Sequence, residues 1–284
     1  MKSHFHCALM FAGLIALGAC ATPPSAPVPV ADGDPATAKL EIVSREELHP
    51  LPPDTQRLVL INLHGDIRIR MSQPGQVGVH ATIQRIGETP LDPTITTRNA
   101  DGAFILEVRY PGDTPGSAPA NHRLGRTDLA LFVPPSLPLA VRTGDGLLQV
   151  RRAPSAVNAR SQSGSIEVSG FADLDLHSVS GRVTGAQLSG EWSKPVRFVS
   201  EQGTVLASVP AFADVRLSVS AGGAIDVPHD WGGESTAAAE GTQFERNFGT
   251  GSKLMQIRAG SEVLLVPVIP DSALQPPNQG AQQD

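Results

Sequence analysis

One phrase recurs along this chain, and it limits the fold more than anything else in the sequence. In Val157-Asn158-Ala159-Arg160-Ser161-Gln162-Ser163-Gly164-Ser165-Ile166-Glu167-Val168 an apolar residue opens an alternating run and a glycine follows seven positions later. Apolar residues resume two and four positions beyond that glycine. The template fits again at Leu139…Gly146-x-Leu148-x-Val150, Leu174…Gly181-x-Val183-x-Gly185 and Val196…Gly203-x-Val205-x-Ala207. With one residue inserted before Ile225 it also fits Val215…Gly222. The units open at Leu139, Val157, Leu174, Val196 and Val215, so the spacing is nearly even. Strict alternation marks half-buried strand, and a period of roughly 20 residues marks units that bury their apolar faces by stacking. A single unit of this size cannot offset the entropy of ordering its backbone, so the rungs must share inner faces and pair edge to edge.

The glycines mark corners that need either positive φ or room where a side chain would intrude. Ser161, Ser163, Ser178, Ser180 and Ser200 precede those corners, where turn capping is the plain expectation and hydroxyl ladders between rungs the more specific one. Upstream, Leu58…Gly65-x-Ile67-x-Ile69 and Ile95…Gly102-x-Phe104-x-Leu106 carry the same phrase. Residues 77–83 alternate as a strand, and 128–133 form another that Pro134-Pro135 stop. Residues 109–126 and 231–251 read as loops. Residues 253–268 return to strand, as a terminal rung or a cap that protects an open edge. The chain is therefore expected to be all-β. It divides into 1–19 (signal peptide), 20–38 (tether), 39–136 (irregular N-terminal β region), 137–228 (regular repeats), 229–269 (loop and C-terminal cap) and 270–284 (disordered tail).

The first segment rests on its own chemistry. Lys2 supplies a positive start, and Leu17-Gly18-Ala19-Cys20 close the segment. The apolar stretch between them, 7–17, is too short to span a bilayer core of about 30 Å. The Leu-Gly-Ala-Cys ending resembles the lipobox of bacterial lipoproteins, which implies that Cys20 is lipidated and becomes the new N-terminus. Ala21 in place of aspartate is, by the same resemblance, compatible with outer-membrane delivery. The Pro-rich stretch after it is a semi-extended tether. Cys7 leaves with the signal and Cys20 carries lipid, so the two cysteines form no disulfide.

Composition excludes more than it selects. The net charge of −6 disfavours nucleic acid, which needs clustered Lys and Arg. With 40% hydrophobic but only 4% aromatic residues, the interior is built from Val, Leu, Ile and Ala, which suits a narrow stack better than a ligand-enclosing cavity. HExxH, paired CxxC, a phosphate-binding loop and a nucleophile elbow are all missing, and no cofactor or metal is implied. Two constellations carry chemistry-bearing side chains. Asp226, His229, Asp230 and Trp231 gather at the end of the repeats, as a carbohydrate or metal contact or, more plainly, as a polar loop with Trp231 capping the stack. Asp175 and His177 share a strand face, and Arg160 and Arg182 fall near them in the repeat. Counted from each opening residue, Arg142, Arg160 and His177 are equivalent, as are Asn158, Asp175, Arg197 and Arg216, so lateral charge pairing explains them without catalysis.

With these motifs in place, the chain resembles a large bacterial family of β-strand-repeat envelope proteins labelled adhesins, essentially a domain of unknown function. The resemblance covers about 58–265. It rests on Gly65-Asp66-Ile67, on Asp128-Leu129-Ala130-Leu131-Phe132-Val133-Pro134, and on units such as Ser163-Gly164-Ser165-Ile166 and Ser180-Gly181-Arg182-Val183. It implies a right-handed parallel β-helix and supplies no catalytic residues. The expectation is a non-catalytic, lipid-anchored protein of the cell envelope, on the outer membrane facing the periplasm or the cell surface. Its partners would be the membrane through Cys20 and a glycan, peptidoglycan or another envelope protein. The rival is a β-helix polysaccharide lyase or glycosidase centred on Asp175, His177 and Arg182.

Overall fold

The computed structural model describes residues 40–86, 92–111, 125–232, 236–238 and 241–269. The proposed signal, the lipidation site Cys20, the tether, most of the 109–126 loop and the tail lie outside the described residues. Among the described residues the regular secondary structure is all strand, apart from one turn of 3-10 helix at His229–Trp231. The N-terminal strands are β1 (Leu40–Pro50), β2 (Arg57–Asn62), β3 (Ile67–Met71), β4 (Gln76–Ile86), β5 (Thr94–Ala100), β6 (Ala103–Arg109) and β7 (Gly125–Val133). The repeats contribute β8 (Leu139–Thr143), β9 (Leu148–Ala153), β10 (Val157–Ser161), β11 (Ile166–Gly170), β12 (Leu174–Ser178), β13 (Val183–Gln187), β14 (Val196–Ser200), β15 (Val205–Val209), β16 (Val215–Ala221) and β17 (Ile225–Asp226). The C-terminal strands are β18 (Thr236–Ala238), β19 (Gly241–Phe248), β20 (Lys253–Ala259) and β21 (Val263–Pro267).

They form two large mixed sheets, ordered β1-β4-β7-β3-β9-β11-β13-β15-β21-β17 and β18-β19-β16-β20-β14-β12-β10-β8-β2-β6-β5. From β8 to β17 the chain alternates between them: the run before each glycine joins the second sheet, the run after it the first. Neighbours within β8–β15 pair in parallel and nearly in register, Val157 against both Leu139 and Leu174, and Ile166 against both Leu148 and Val183. The alternating apolar positions of both sheets are buried in one continuous core. That core accommodates its largest fully buried side chain by local subtraction. Phe198 is fully buried, and a Cβ at Gly185 would run into its ring.

The ends break the chain's sequential order. β2 lies between β6 and β8, and β3 between β7 and β9, so the first repeat unit of the chain is enclosed by later strands on both sides. At the other end β20 lies between β14 and β16, and β21 between β15 and β17. The segment expected as a terminal rung or cap is thus an interior layer. The covering role falls to residues expected as a loop, because β19 pairs antiparallel with β16 and β18 with β19. Gly241–Phe248 has one fully buried apolar side chain, Phe244, too few to show a period. Antiparallel strands close the other end as well, β5 on β6 and β4 then β1 on β7.

Candidate functional site

The repeat glycines are there for space. Among the described residues of the repeat corners, Gly146, Gly164, Gly181, Gly203 and Gly222 all lack positive φ. A Cβ on Gly146 would strike the Gly65 carbonyl oxygen, one on Gly164 the Gly146 carbonyl, and one on Gly181 the Gly164 carbonyl. The corners therefore stack backbone on backbone in a single column. Beside it runs a column of buried polar residues, Asn62, Thr143, Ser161, Ser178 and Ser200. Ser178 Oγ donates to the Gly164 carbonyl of the neighbouring layer at 3.2 Å and accepts from Gly181 N–H at 2.9 Å. Ser200 repeats this, donating to Gly181 at 2.7 Å and accepting from Gly203 N–H at 3.0 Å. At these two positions capping and laddering are one arrangement, and each hydroxyl satisfies backbone groups that burial would otherwise orphan.

On the outward face of the second sheet, Asn158, Asp175 and Arg197 stand side by side on β10, β12 and β14. Arg216 does not continue that row. Leu217, not Val215, aligns through Met255 with Val196, so Ser218 takes the equivalent place, two residues from where the template put it. Arg142, Arg160 and His177 form the second row, in register as expected. Arg160 Nη2 lies 2.6 Å from Asp175 Oδ2, and Asn158 Nδ2 donates to the same oxygen at 3.3 Å. His177 Nε2 lies 2.9 Å from Glu201 Oε1. Asp175 and His177 are each engaged sideways with a different neighbour. These partly exposed pairs contribute about 1 kcal/mol or less each.

A groove of about 580 Å³ runs across the starts of these strands, with Leu139, Val157 and Leu174 in its lining and Arg57, Asn158, Asp175, Lys194 and Arg197 among its polar groups. Asp173 shapes one wall. Burial pushes its carboxyl up, but N–H groups of Lys194 and Ser193 and the Ser193 hydroxyl outweigh that and hold it below the usual carboxylate range. Arg182 belongs to a separate recess on the first sheet, where its Nε lies 3.3 Å from Thr204 Oγ1 and Asp226 and Glu262 complete the lining. The structure therefore puts Arg182 in the same recess as Asp226, three strands apart, rather than in the groove that Asp175 lines. His229 and Asp230 are exposed on the 3-10 turn. Trp231 is buried edge-on against Phe248, with ring centroids 4.9 Å apart, as a packing residue near the end of the stack.

A second polar cluster escaped the sequence reading. Arg126 Nη2 donates to Asp66 Oδ1 at 2.8 Å and to Asp128 Oδ1 at 2.6 Å. Asp66 Oδ1 also accepts from Leu147 N–H at 3.0 Å. Burial lowers the Arg126 guanidinium's pKa, but the Asp128 and Asp66 carboxylates together more than compensate and leave it above its ordinary value. Asp145 bridges to the neighbouring corner, 3.5 Å from His64 Nδ1 and accepting from Gly65 N–H at 3.3 Å, and the His64 contact is the main cause of its lowered pKa. These contacts bind the out-of-order β2–β3 layer to the layers on both sides. Gly65-Asp66 and Asp128 each stand in a motif of the sequence, but nothing there joins them, because the cluster's members lie in distant strands and corners.

Among the described residues no group of three or more His, Cys, Asp or Glu side chains is placed to hold a metal ion. None of the helices there is long and apolar enough to cross a membrane. No family model and no curated protein matches the chain. Solved structures similar to this chain include two. One is a candidate cell adhesion protein from Clostridium sporogenes, with 15% identity and a TM-score of 0.46, covering 79% of this chain and 99% of that one. The other is a candidate adhesin from Bacteroides fragilis, with 11% identity and a TM-score of 0.37, covering 81% of this chain and 97% of that one.

Proposed function

We propose that this chain is a non-catalytic, adhesin-like protein of the cell envelope that binds a glycan along the outer face of its second sheet. In this reading the alternating parallel layers are turns of a right-handed parallel β-helix. Cys20 anchors it by lipid to the outer membrane, facing the periplasm or the cell surface. Peptidoglycan and another envelope protein are the alternative partners.

The observation that carries the reading is the groove across β8, β10, β12 and β14, whose accessible apolar lining is Pro138, Ala140, Ala156 and Pro195, with polar groups along it. Those groups repeat at the strand spacing of about 4.8 Å. A linear polymer can lie across such rungs with hydroxyls on Asn158 and Arg197 and ring faces against Pro138, Ala156 and Pro195. Binding of the full chain to immobilised envelope polysaccharides tests this. Arg197→Ala with Asn158→Ala should weaken binding at least tenfold without changing the unfolding midpoint. Unchanged binding would remove the groove as the site. For the anchor, Cys20→Ser should move the protein from the membrane to the soluble fraction.

A further inference from the structure

We propose that the first sheet carries a separate anion site, a recess built by Arg70, Arg151 and Arg152 that takes a sulfate or phosphate group borne on an acidic glycan. The inference deepens the glycan reading and rests on it, but it uses the opposite sheet and none of the groove residues.

The site begins with an irregularity in β9. β11 pairs with it normally as far as Val168 against Val150, and then Gly170 opposes Ala153. Arg151 and Arg152 thus stand opposite the single residue Ser169, which is a β-bulge. Both arginines consequently point outward, where strict alternation would turn one inward; the burial runs buried, half-buried, buried, exposed, exposed, buried along Leu148–Ala153.

The bulge puts Arg152 at φ +52°, and among the described residues only Asp101 shares a positive φ without being glycine. Asp101 has a reason, since it begins a tight hairpin turn before Gly102. Arg152 occupies a backbone position that a glycine would adopt without strain, and where any other residue costs about 1–2 kcal/mol. The strained backbone is pinned by Arg152 N–H donating to Ser169 Oγ at 2.9 Å, and the guanidinium sits 5.1 Å over the Phe171 ring. Strain held this way points from geometry to function.

The neighbouring strand completes the recess. β3 runs parallel to β9 with Arg68 against Gln149 and Ile69 against Val150, which brings Arg70 alongside the bulge. The resulting concavity of about 330 Å³ is lined by Arg68, Ile69, Arg70, Met71, Gln149, Arg151 and Arg152, and no carboxylate lines it. Arg68 is engaged by Asp66 at 2.7 Å. Among the described residues Arg70 and Arg151 have no salt bridge and no side-chain hydrogen bond. On a chain of net charge −6, two such guanidiniums brought into one recess repel each other unless an anion joins them. Planar guanidinium forks match the oxygens of sulfate and phosphate, and two strands at sheet spacing offer room for one such group and the sugar that carries it.

A flat anionic bilayer fits less well. Glu167 on β11 and Glu46 on β1 belong to the same sheet, with Glu167 exposed, and would meet the bilayer's charge, whereas a slender polymer places a single oxyanion in the recess.

The test is binding of the full chain to dextran sulfate, with unmodified dextran and phosphatidylglycerol vesicles as comparisons, across a salt series. Dextran sulfate should bind at least tenfold more tightly than dextran, weakening steeply with salt. Arg70→Ser with Arg151→Ser should lose at least tenfold with the unfolding midpoint unchanged. Arg152→Gly keeps the bulge conformation and should weaken binding several-fold while the midpoint holds or rises. Arg197→Ala, on the other sheet, should leave dextran sulfate binding intact. Equal dextran sulfate binding by wild type and the double variant would overturn the recess and leave the groove reading standing. Binding to vesicles but not to dextran sulfate, lost in the double variant, would overturn the glycan assignment itself.

Discussion

Two stretches carry the same phrase and fold in opposite senses. From Val157 to Val168 the chain runs along one sheet, turns at Gly164 and crosses to the other. From Ile95 to Leu106 it turns at Gly102 and folds back on itself, with Ile95 opposite Val108 and Ala100 opposite Ala103. The difference lies in what the glycine is for. Gly102 and Asp101 both have positive φ, +69° and +51°. That is the signature of a two-residue hairpin turn, which Asp-Gly favours. Gly164 has no such φ; it is small because the Gly146 carbonyl of the next layer fills the space beside it. The first glycine serves its own backbone, and the second serves a neighbour one whole repeat away.

Substituting alanine at each position separates the two roles. Gly164→Ala is expected to cost about 3 kcal/mol or more, since only a shift of one layer against the next relieves the clash. The readout is the urea midpoint. A loss below about 1 kcal/mol would show that the column is looser than its geometry implies.

Next in size is the hydroxyl beside the column. Ser178→Ala strands the Gly164 carbonyl and the Gly181 N–H in a buried corner. By the same measurement it should cost about 1–3 kcal/mol. The hairpin glycine should matter least of the three. A Cβ on Gly102 meets only the end of the Gln56 side chain, which can move. Gly102→Ala should therefore cost about 1–2 kcal/mol, the strain of the left-handed conformation. If Gly102→Ala proved as damaging as Gly164→Ala, the contrast between a turn and a stacked corner would collapse.

This contrast also shows what could be read in advance. Period-two alternation placed nearly every inward residue of β8–β15, because a strand's two faces are a local property. Asp101-Gly102 between apolar runs was a hairpin signal in the letters, but the shared phrase masked it. Layer order could not be read from the sequence. Whether β20 lies beyond β16 or between β14 and β16 depends on which edges are open when it docks, and Met255 and Ile257 would be buried either way. The offset of Val215 has the same origin, because its register is set by Lys253–Ala259, which follows it in the chain. Of the proposed surface, the rows Asn158–Asp175–Arg197 and Arg142–Arg160–His177 were legible as repeats. The arginine recess was not, since Arg151-Arg152 breaks alternation and Arg70 lies far upstream on β3.

The smallest expected effect sharpens the comparison within the crossing corners themselves. At Gly181 and Gly203 the corner N–H is held by a serine hydroxyl, which does not titrate. At Gly65, whose φ is +117°, the N–H is held by the Asp145 carboxylate. The His64 contact lowers the Asp145 pKa from its ordinary 3.8, so the folded state binds that proton more weakly than the unfolded chain does. The contribution is fully present above the ordinary value and is lost as pH falls through the lowered one. Asp145→Asn preserves an oxygen for Gly65 N–H and removes the titration. The urea midpoint of wild type should therefore drop further between about pH 5 and pH 3 than that of Asp145→Asn, by a modest amount because Asp145 is nearly half exposed. Parallel pH dependence in the two proteins would mean that the carboxylate at this corner does no more than a serine does at the others.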